Sequence, residues 1–407
     1  MQRSTDWRAV GLGVCLSLAV PSAAAFNQEI KASFAPDPSQ PSKNVFTNQT
    51  PNSGYCATYP AQCAQYNMFS IQIPVRFDSK RLIFPGYAIA LKVPADWRQL
   101  TVTNTETQET EVVDVRITGI GSEFFLSDSV TDLTGEPVIN AAHDKLWTSN
   151  GWVYAPPPCQ YSGVASYGPR SYRFFWKTPA QEACIKVAAF NIPAMYFNKF
   201  DFAYELRTPN PLSMSSGTYT GTLSYSIGWP GDFDFGPNMQ PDDDVLALDF
   251  VLDVNHTLKV EIPPGGTKVL LQPAGGWQSW LQSGRKPVRL FRDQTFNISA
   301  SSGFKMYLEC SFTLGTGCGV SDAGSLVFAP LKVSVTMPHG VTDVDGNPVQ
   351  RRELSTVASP AMLQASHFVD RKPGQLHFEL EAFEPMFSPT APKRYSGNVV
   401  VVWDSAL

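Results

Sequence analysis

The sequence predicts an all-β chain built as two immunoglobulin-like β-sandwich domains, and three observations carry that prediction. Of 407 residues, 33 are Pro and 29 Gly while only 16% are charged, a composition suited to many short strands joined by turns. Short runs of alternating apolar residues recur along most of the chain, bounded by Pro, Gly, Asn or Asp. The length is more than one ordinary sandwich needs, so two hydrophobic cores are expected. A content of 43% hydrophobic and 12% aromatic residues argues for a globular chain rather than a disordered one. The formal net charge of −5 leaves no basic excess for a nucleic-acid backbone.

At the N-terminus, Arg3 and Arg8 precede an apolar run over residues 9–20 and then Ala23-Ala24-Ala25. That layout resembles a secretory signal over residues 1–25, with a mature start at Phe26. The run is shorter than the roughly 20 apolar residues of a spanning helix. Cys15 lies within it, leaving Cys56, Cys63, Cys159, Cys184, Cys310 and Cys318, an even set that suits an oxidising compartment. Six cysteines allow about 15 pairings. Their order along the chain points to three local pairs, Cys56 with Cys63, Cys159 with Cys184, and Cys310 with Cys318. None has the C-x2-C spacing or nearby His of a zinc site.

Residues 26–34 alternate weakly and read as a first strand; the same alternation could serve as a donor strand, a second and less direct reading. Further strands are expected at 69–75, 87–93, 111–117, 172–176, 185–190 and 218–227, and helical turns at 138–147. The run 245–262 is interrupted by Asn255-His256-Thr257, which places a domain junction between 26–254 and 255–407. Beyond it, strands are expected at 258–262, 268–271, 296–299, 305–312, 331–337, 375–380 and 398–403. Ser359-Pro360 ahead of residues 361–368 has the Ncap and N1 arrangement of a short helix. The last strand is apolar on both faces, with Val399, Val401 and Trp403 on one side and Val400 and Val402 on the other. Such a strand belongs inside a sheet, and no later segment of this sequence can lie beside it.

The closing residues Arg394-Tyr395-Ser396-Gly397-Asn398-Val399-Val400-Val401, with the opening strand from Thr257, resemble a chaperone/usher pilin domain. With the aromatic-rich domain in front, the chain resembles two-domain fimbrial tip adhesins, including the colonisation-factor type. The resemblance implies that the C-terminal domain is an incomplete pilin fold lacking its last strand. Its groove would be filled first by a periplasmic chaperone and then by the next pilin subunit, at an outer-membrane usher. Tyr395, Gly397, Val399, Val401 and Trp403 would form the assembly strand. Export would run through the periplasm to the cell surface, at the fimbrial tip, and the front domain would bind a host glycan or glycoprotein. No cofactor, metal or catalysis is implied. A non-adhesive initiator or minor pilin is the alternative within that class.

For receptor binding the informative stretch is 147–176, from which Trp152, Tyr154, Tyr167, Arg170 and Arg173 are the candidate residues. Aromatic faces stack on sugar rings and Arg offers a fork of donors to carboxylates. Part of the stretch alternates as a strand and must be core. Trp229, Phe233 and Phe235 form a second candidate, with packing as the competing role. A secreted carbohydrate-active enzyme could use the same surface, but it needs two carboxylates roughly 5 to 10 Å apart. The common catalytic signatures are absent. His377-Phe378-Glu379 lacks a zinc partner, and the segments Asp242-Asp243-Asp244 and Asp343-Val344-Asp345-Gly346-Asn347 read as turns more readily than as calcium loops.

Overall fold

The computed structural model describes residues 26–65, 69–163, 166–322, 324, 327–381 and 394–405. The leader expected over residues 1–25 lies outside them. The described chain is nearly all β, and its buried apolar residues form two large clusters, one running from Ile30 to Val254 and the other from Phe296 to Leu380.

The main strands of the first sandwich are β1 (Phe26–Phe34), β2 (Ala88–Leu91), β3 (Arg98–Asn104), β4 (Thr110–Leu126), β5 (Ser171–Lys177), β6 (Cys184–Val187), β7 (Met195–Arg207), β8 (Gly217–Ser226) and β9 (Val245–Val254). β4 organises the sheet: its first half pairs with β3, its second half with β5, and β7 follows its other edge. The sequence suggests only 111–117 here because Gly119 and Gly121 interrupt the apolar pattern. Both glycines make room for Phe175 of β5; a Cβ on Gly121 would lie 2.4 Å from its ring. β9 lies between β8, antiparallel, and β1, parallel from Phe26↔Leu246 to Phe34↔Val254. Ile30, Ala32 and Phe34 are buried there, so β1 is a strand of this sandwich and not a free donor.

Helices are short. α1 (Tyr55–Thr58) and α2 (Pro60–Gln65) cover Phe175, and α3 (Val130–Thr134) precedes α4 (Ile139–Leu146), which forms where helical turns are expected.

The second sandwich comprises β10 (Leu258–Glu261), α5 (Gly276–Ser283), β11 (Arg289–Ala300), β12 (Phe304–Cys310), β13 (Gly317–Asp322), β14 (Phe328–Thr336), β15 (Ala361–Ala365), β16 (Val369–Glu381) and β17 (Val399–Asp404). One sheet follows the order β10-β11-β16-β14-β13, and the other runs β15-β12-β17 with Val341–Asp343 outside β15. Two expectations fail here. The helix expected at 361–368 is β15: Ala361, Leu363 and Ala365 are buried while Met362 and Gln364 are not, so a period of two wins over the local Ser-Pro signal. The strand expected at 268–271 does not pair in a ladder, although Val269 and Leu271 still pack on the core.

All three disulfides join the cysteines expected from sequence order. Cys56–Cys63 ties α1 to α2, Cys159–Cys184 fixes the loop before β5 to the start of β6, and Cys310–Cys318 links β12 to β13 across the two sheets.

Candidate functional site

The terminal strand is paired on one side. β17 runs antiparallel to β12 from Lys305↔Asp404 to Cys310↔Val399, and the Lys305 ammonium closes the end on Asp404 at 3.0 Å. Among the described residues no strand lies along its other edge. In the facing sheet β10 is also an outer strand, paired with β11 alone among the described residues. Leu258, Val260, Val269, Leu271, Val399, Val401 and Trp403 all pack against the second core while remaining partly exposed. Peptide groups along an open edge and a half-covered apolar row are what one more strand satisfies.

The five residues expected to form the assembly strand divide. Val399, Val401 and Trp403 lie on β17, whereas Tyr395 pairs with Asp322 at the end of β13. Gly397 lies against the carbonyl of Gly319, where a Cβ would come within 3.0 Å of that oxygen. The Tyr-Ser-Gly segment therefore fastens the chain to the opposite sheet just before β17 begins.

In the first sandwich, two candidate receptor residues make internal contacts. Trp152 is fully buried, stacks on Trp176 with ring centroids 5.2 Å apart, and accepts the Trp176 indole N–H on its carbonyl at 2.6 Å. It presents no face to a ligand; the pairing of aromatic residues that suggested a sugar platform is a core stack. Arg173, with its side chain 13% exposed, donates to Asp201 at 3.4 Å and to the Thr58 hydroxyl at 3.2 Å. Burial pushes the Asp201 carboxyl up, against the Arg173 charge.

Tyr154 and Tyr167 are half-exposed and Arg170 is exposed. A further ring, Tyr161, pairs with the same strand as Tyr167: Tyr161 lies opposite Trp176 and Tyr167 opposite Tyr172. Four residues of β5 separate those positions, about 13 Å along the strand, and both tyrosines are open to solvent. The loop carrying Tyr154 is held from beneath by Lys186, a residue that sequence reasoning missed. Its fully buried ammonium donates to the carbonyls of Ser149 at 3.1 Å, Asn150 at 3.2 Å and Gly151 at 3.0 Å. Burial pushes its pKa down to about 8, with Asp144 opposing. The available signal was parity: two residues after buried Cys184 on an alternating strand, Lys186 occupies an inward position. In the second candidate loop Phe233 and Phe235 are core, Phe235 stacking on Phe77 at 4.0 Å, and Trp229 alone of the three is exposed.

One polar chain has the order of a hydrolytic triad. His377 Nδ1 lies 2.7 Å from Asp293 Oδ1, and its Nε2 lies 2.8 Å from Thr336 Oγ1. That hydroxyl also accepts the Arg351 N–H at 3.0 Å, and the buried imidazole bridges β11, β16 and β14. The arrangement fastens three strands, as the sequence reading of a strand position implies. Asp343 Oδ1 accepts from the N–H groups of Asp345 at 3.0 Å and Asn347 at 2.8 Å, closing a turn with the oxygen that a calcium reading would need.

No family model matches the sequence, and no curated protein matches it. Solved structures similar to it include the adhesin in a chaperone–tip adhesin complex of CFA/I fimbriae, 8% identical over 93% of this chain and 96% of that one, with a TM-score of 0.26. The adhesin CupB6 of Pseudomonas aeruginosa pairs at 11% identity over 83% and 96% of the two chains, with a TM-score of 0.24. The chaperone–tip subunit pre-assembly complex of Acinetobacter baumannii Csu pili, from an archaic chaperone-usher system, pairs at 8% over 93% and 98%, with a TM-score of 0.21.

Proposed function

We propose that this chain is a fimbrial tip adhesin: residues 26–254 bind a receptor, and residues 255–407 anchor it by accepting a strand from another protein. The observation that carries this reading is that β17 pairs on one side alone among the described residues, with Val399, Val401 and Trp403 half-covered on the core. The strand would come from a periplasmic chaperone during export, and then from the next pilin subunit after passage through an outer-membrane usher. Strand addition fits because main-chain hydrogen bonds and alternating apolar contacts form together along such an edge. The test is the melting temperature of the mature chain with and without a donor-strand peptide or a chaperone. A clear rise is expected; an unchanged melting curve removes the assembly reading.

For the receptor, exposed Tyr154, Tyr161, Tyr167 and Arg170 support a glycan reading, since Tyr161 and Tyr167 pair along β5, Arg170 directly precedes it, and all four are open to solvent. Screening the full mature chain on a glycan array, followed by Tyr167→Ala and Arg170→Ala, tests it. Retention of full binding by both variants would place the receptor site elsewhere.

A further inference from the structure

The first sandwich leaves a seam between β1 and the short strand Ile71–Ile73, which pairs with β7. Residues 47–53 bridge it. At one end Thr47 and Asn48 pair with Ser33 and Ala32, and the Lys31 N–H donates to Thr50 Oγ1 at 2.8 Å. At the other, the Ser53 N–H donates to the Ser70 carbonyl at 2.9 Å, and Ser53 Oγ accepts the Gln72 N–H at 2.7 Å. Between these ties lies a cavity of about 340 Å³, towards the lower end of the range for small-molecule sites.

Pro51 and the buried side chain of Ile71 give the cavity an apolar side. Gln28, Glu29 and Lys31 from β1, with Thr50 and Ser53 from the bridge, make the rest of it polar. Bonding capacity is left over there. The Gln28 amide N–H donates to the Glu29 carbonyl at 2.8 Å, while Gln28 Oε1 has no partner among the described residues. Glu29 Oε1 meets the Lys31 ammonium at 2.8 Å with both side chains half-exposed, and a carboxylate keeps further acceptor sites beyond that contact. The main chain adds a donor. Lys31 turns its N–H to Thr50 and its carbonyl to Gln49, so Glu29, two residues earlier, turns its own N–H to the same edge. The ladder on that edge begins only at Ala32.

This lining selects a ligand by exclusion. A single carboxylate falls short of the oxygen set that a divalent cation takes. The same carboxylate repels an anion, and the polar walls do not suit an alkyl chain. Vicinal hydroxyls do suit them. Each hydroxyl both donates and accepts, which matches a carboxylate and an ammonium held side by side, and the apolar side takes the C–H face of the ring.

We infer that the seam is a second saccharide site, for an uncharged pyranose with adjacent hydroxyls, and that Glu29 and Lys31 bind those hydroxyls. None of Tyr154, Tyr161, Tyr167 and Arg170 lines it. The choice of a sugar rests in part on the adhesin reading above; the cavity does not.

The experiment uses the full mature chain with labelled isoleucine methyls, and follows the Ile71 methyl resonance, assigned with Ile71→Val. The probes are the methyl glycosides of mannose, galactose and N-acetylglucosamine, with N-acetylneuraminic acid as the charged control. At least one neutral glycoside should shift the resonance and saturate at millimolar concentration, and the acid should not. Glu29→Ala and Glu29→Gln should each weaken that binding about tenfold, the loss of one charge-assisted hydrogen bond, with an unchanged melting temperature because the residue is exposed. Tyr167→Ala should leave it intact. A resonance unmoved by all three glycosides overturns the inference, as does an equal response to the acid or full affinity in both Glu29 variants. If the glycan array still shows binding that Tyr167→Ala removes, only the seam falls. If the chain binds no sugar by either readout, the glycan reading falls with it.

Discussion

Trp403 on β17 meets Phe296 on β11 edge-on, with ring centroids 4.8 Å apart and planes at 64°, so one ring of the last strand spans the two sheets of the second sandwich. It is partly exposed, because nothing described lies along the outer edge of β17. Truncation by Trp403→Ala removes that bridge and should destabilise the second domain by about 2–4 kcal/mol, towards the lower part of the range for large core residues. Urea unfolding followed by circular dichroism measures it. The exposed neighbour Val400→Ala should shift the midpoint far less, and equal losses at the two positions would mean that β17 does not present alternate faces.

Arg173 illustrates why the receptor reading needs the right variant. Its guanidinium is paired with Asp201, whose side chain is 2% exposed and which also accepts from Gln72 at 3.3 Å. Arg173→Ala leaves a buried carboxylate without its cation and should cost about 3–5 kcal/mol at neutral pH. The pH dependence has a definite sign. A carboxyl held above its unfolded pKa takes up a proton on folding, so its burial cost is present at neutral pH and relieved as pH falls. The stability gap between wild type and Arg173→Ala should therefore narrow on acidification. Loss of receptor binding in this variant would be compounded by its loss of stability, whereas Arg170→Ala tests the surface without removing that ion pair.

Gly121 and Phe175 make a second coupled pair. A methyl group on Gly121 would meet the Phe175 ring at 2.4 Å and the Phe174 carbonyl oxygen at 2.7 Å. Gly121→Ala should cost about 1–3 kcal/mol by overpacking, and Phe175→Leu should relieve part of that cost in a double-mutant cycle. Strict additivity of the two changes, measured by thermal unfolding, would show that the glycine serves some other purpose.

The same residues show where sequence reasoning reached its limit. Alternation of apolar positions exposed the terminal strand and most of the shorter ones, because a strand buried on one face advertises its period directly. β4 was only half legible, since its second half uses glycines to admit a ring from β5, a contact 54 residues away in sequence (Gly121 to Phe175). β15 was misread because Ser359-Pro360 is a local signal and the pairing that overrides it, with β12, is not local. For the site, residue type marked an aromatic region but could not separate Trp152, inside the core stack, from Tyr154, outside it. That distinction depends on how the loop over Lys186 is folded, which no local period encodes.

Lys186 gives the last prediction. Its ammonium is fully buried against three successive carbonyls, and burial lowers its pKa from the ordinary lysine value to about 8. A lysine whose folded pKa lies below its unfolded one releases a proton on folding, so its burial penalty is fully present below about 8 and fades as pH rises. Stability attributable to this residue should grow with pH from about 8 towards the ordinary lysine value, by on the order of 3 kcal/mol. Buried Tyr55 and Tyr172 and partly buried Tyr204, pushed up to about 12, act in the opposite direction: above pH about 10 the unfolded chain releases their protons and the fold does not. The two effects separate when wild type is compared with Lys186→Met, which keeps the tyrosines. The difference in unfolding free energy, measured by urea titration from pH 7 to 10, should rise in favour of wild type. Because Lys186 secures the loop bearing Tyr154, Lys186→Met should also loosen that loop in hydrogen exchange while β4 stays protected. A flat pH profile together with an unchanged loop would show that the ammonium is neither desolvated nor holding the aromatic surface in place.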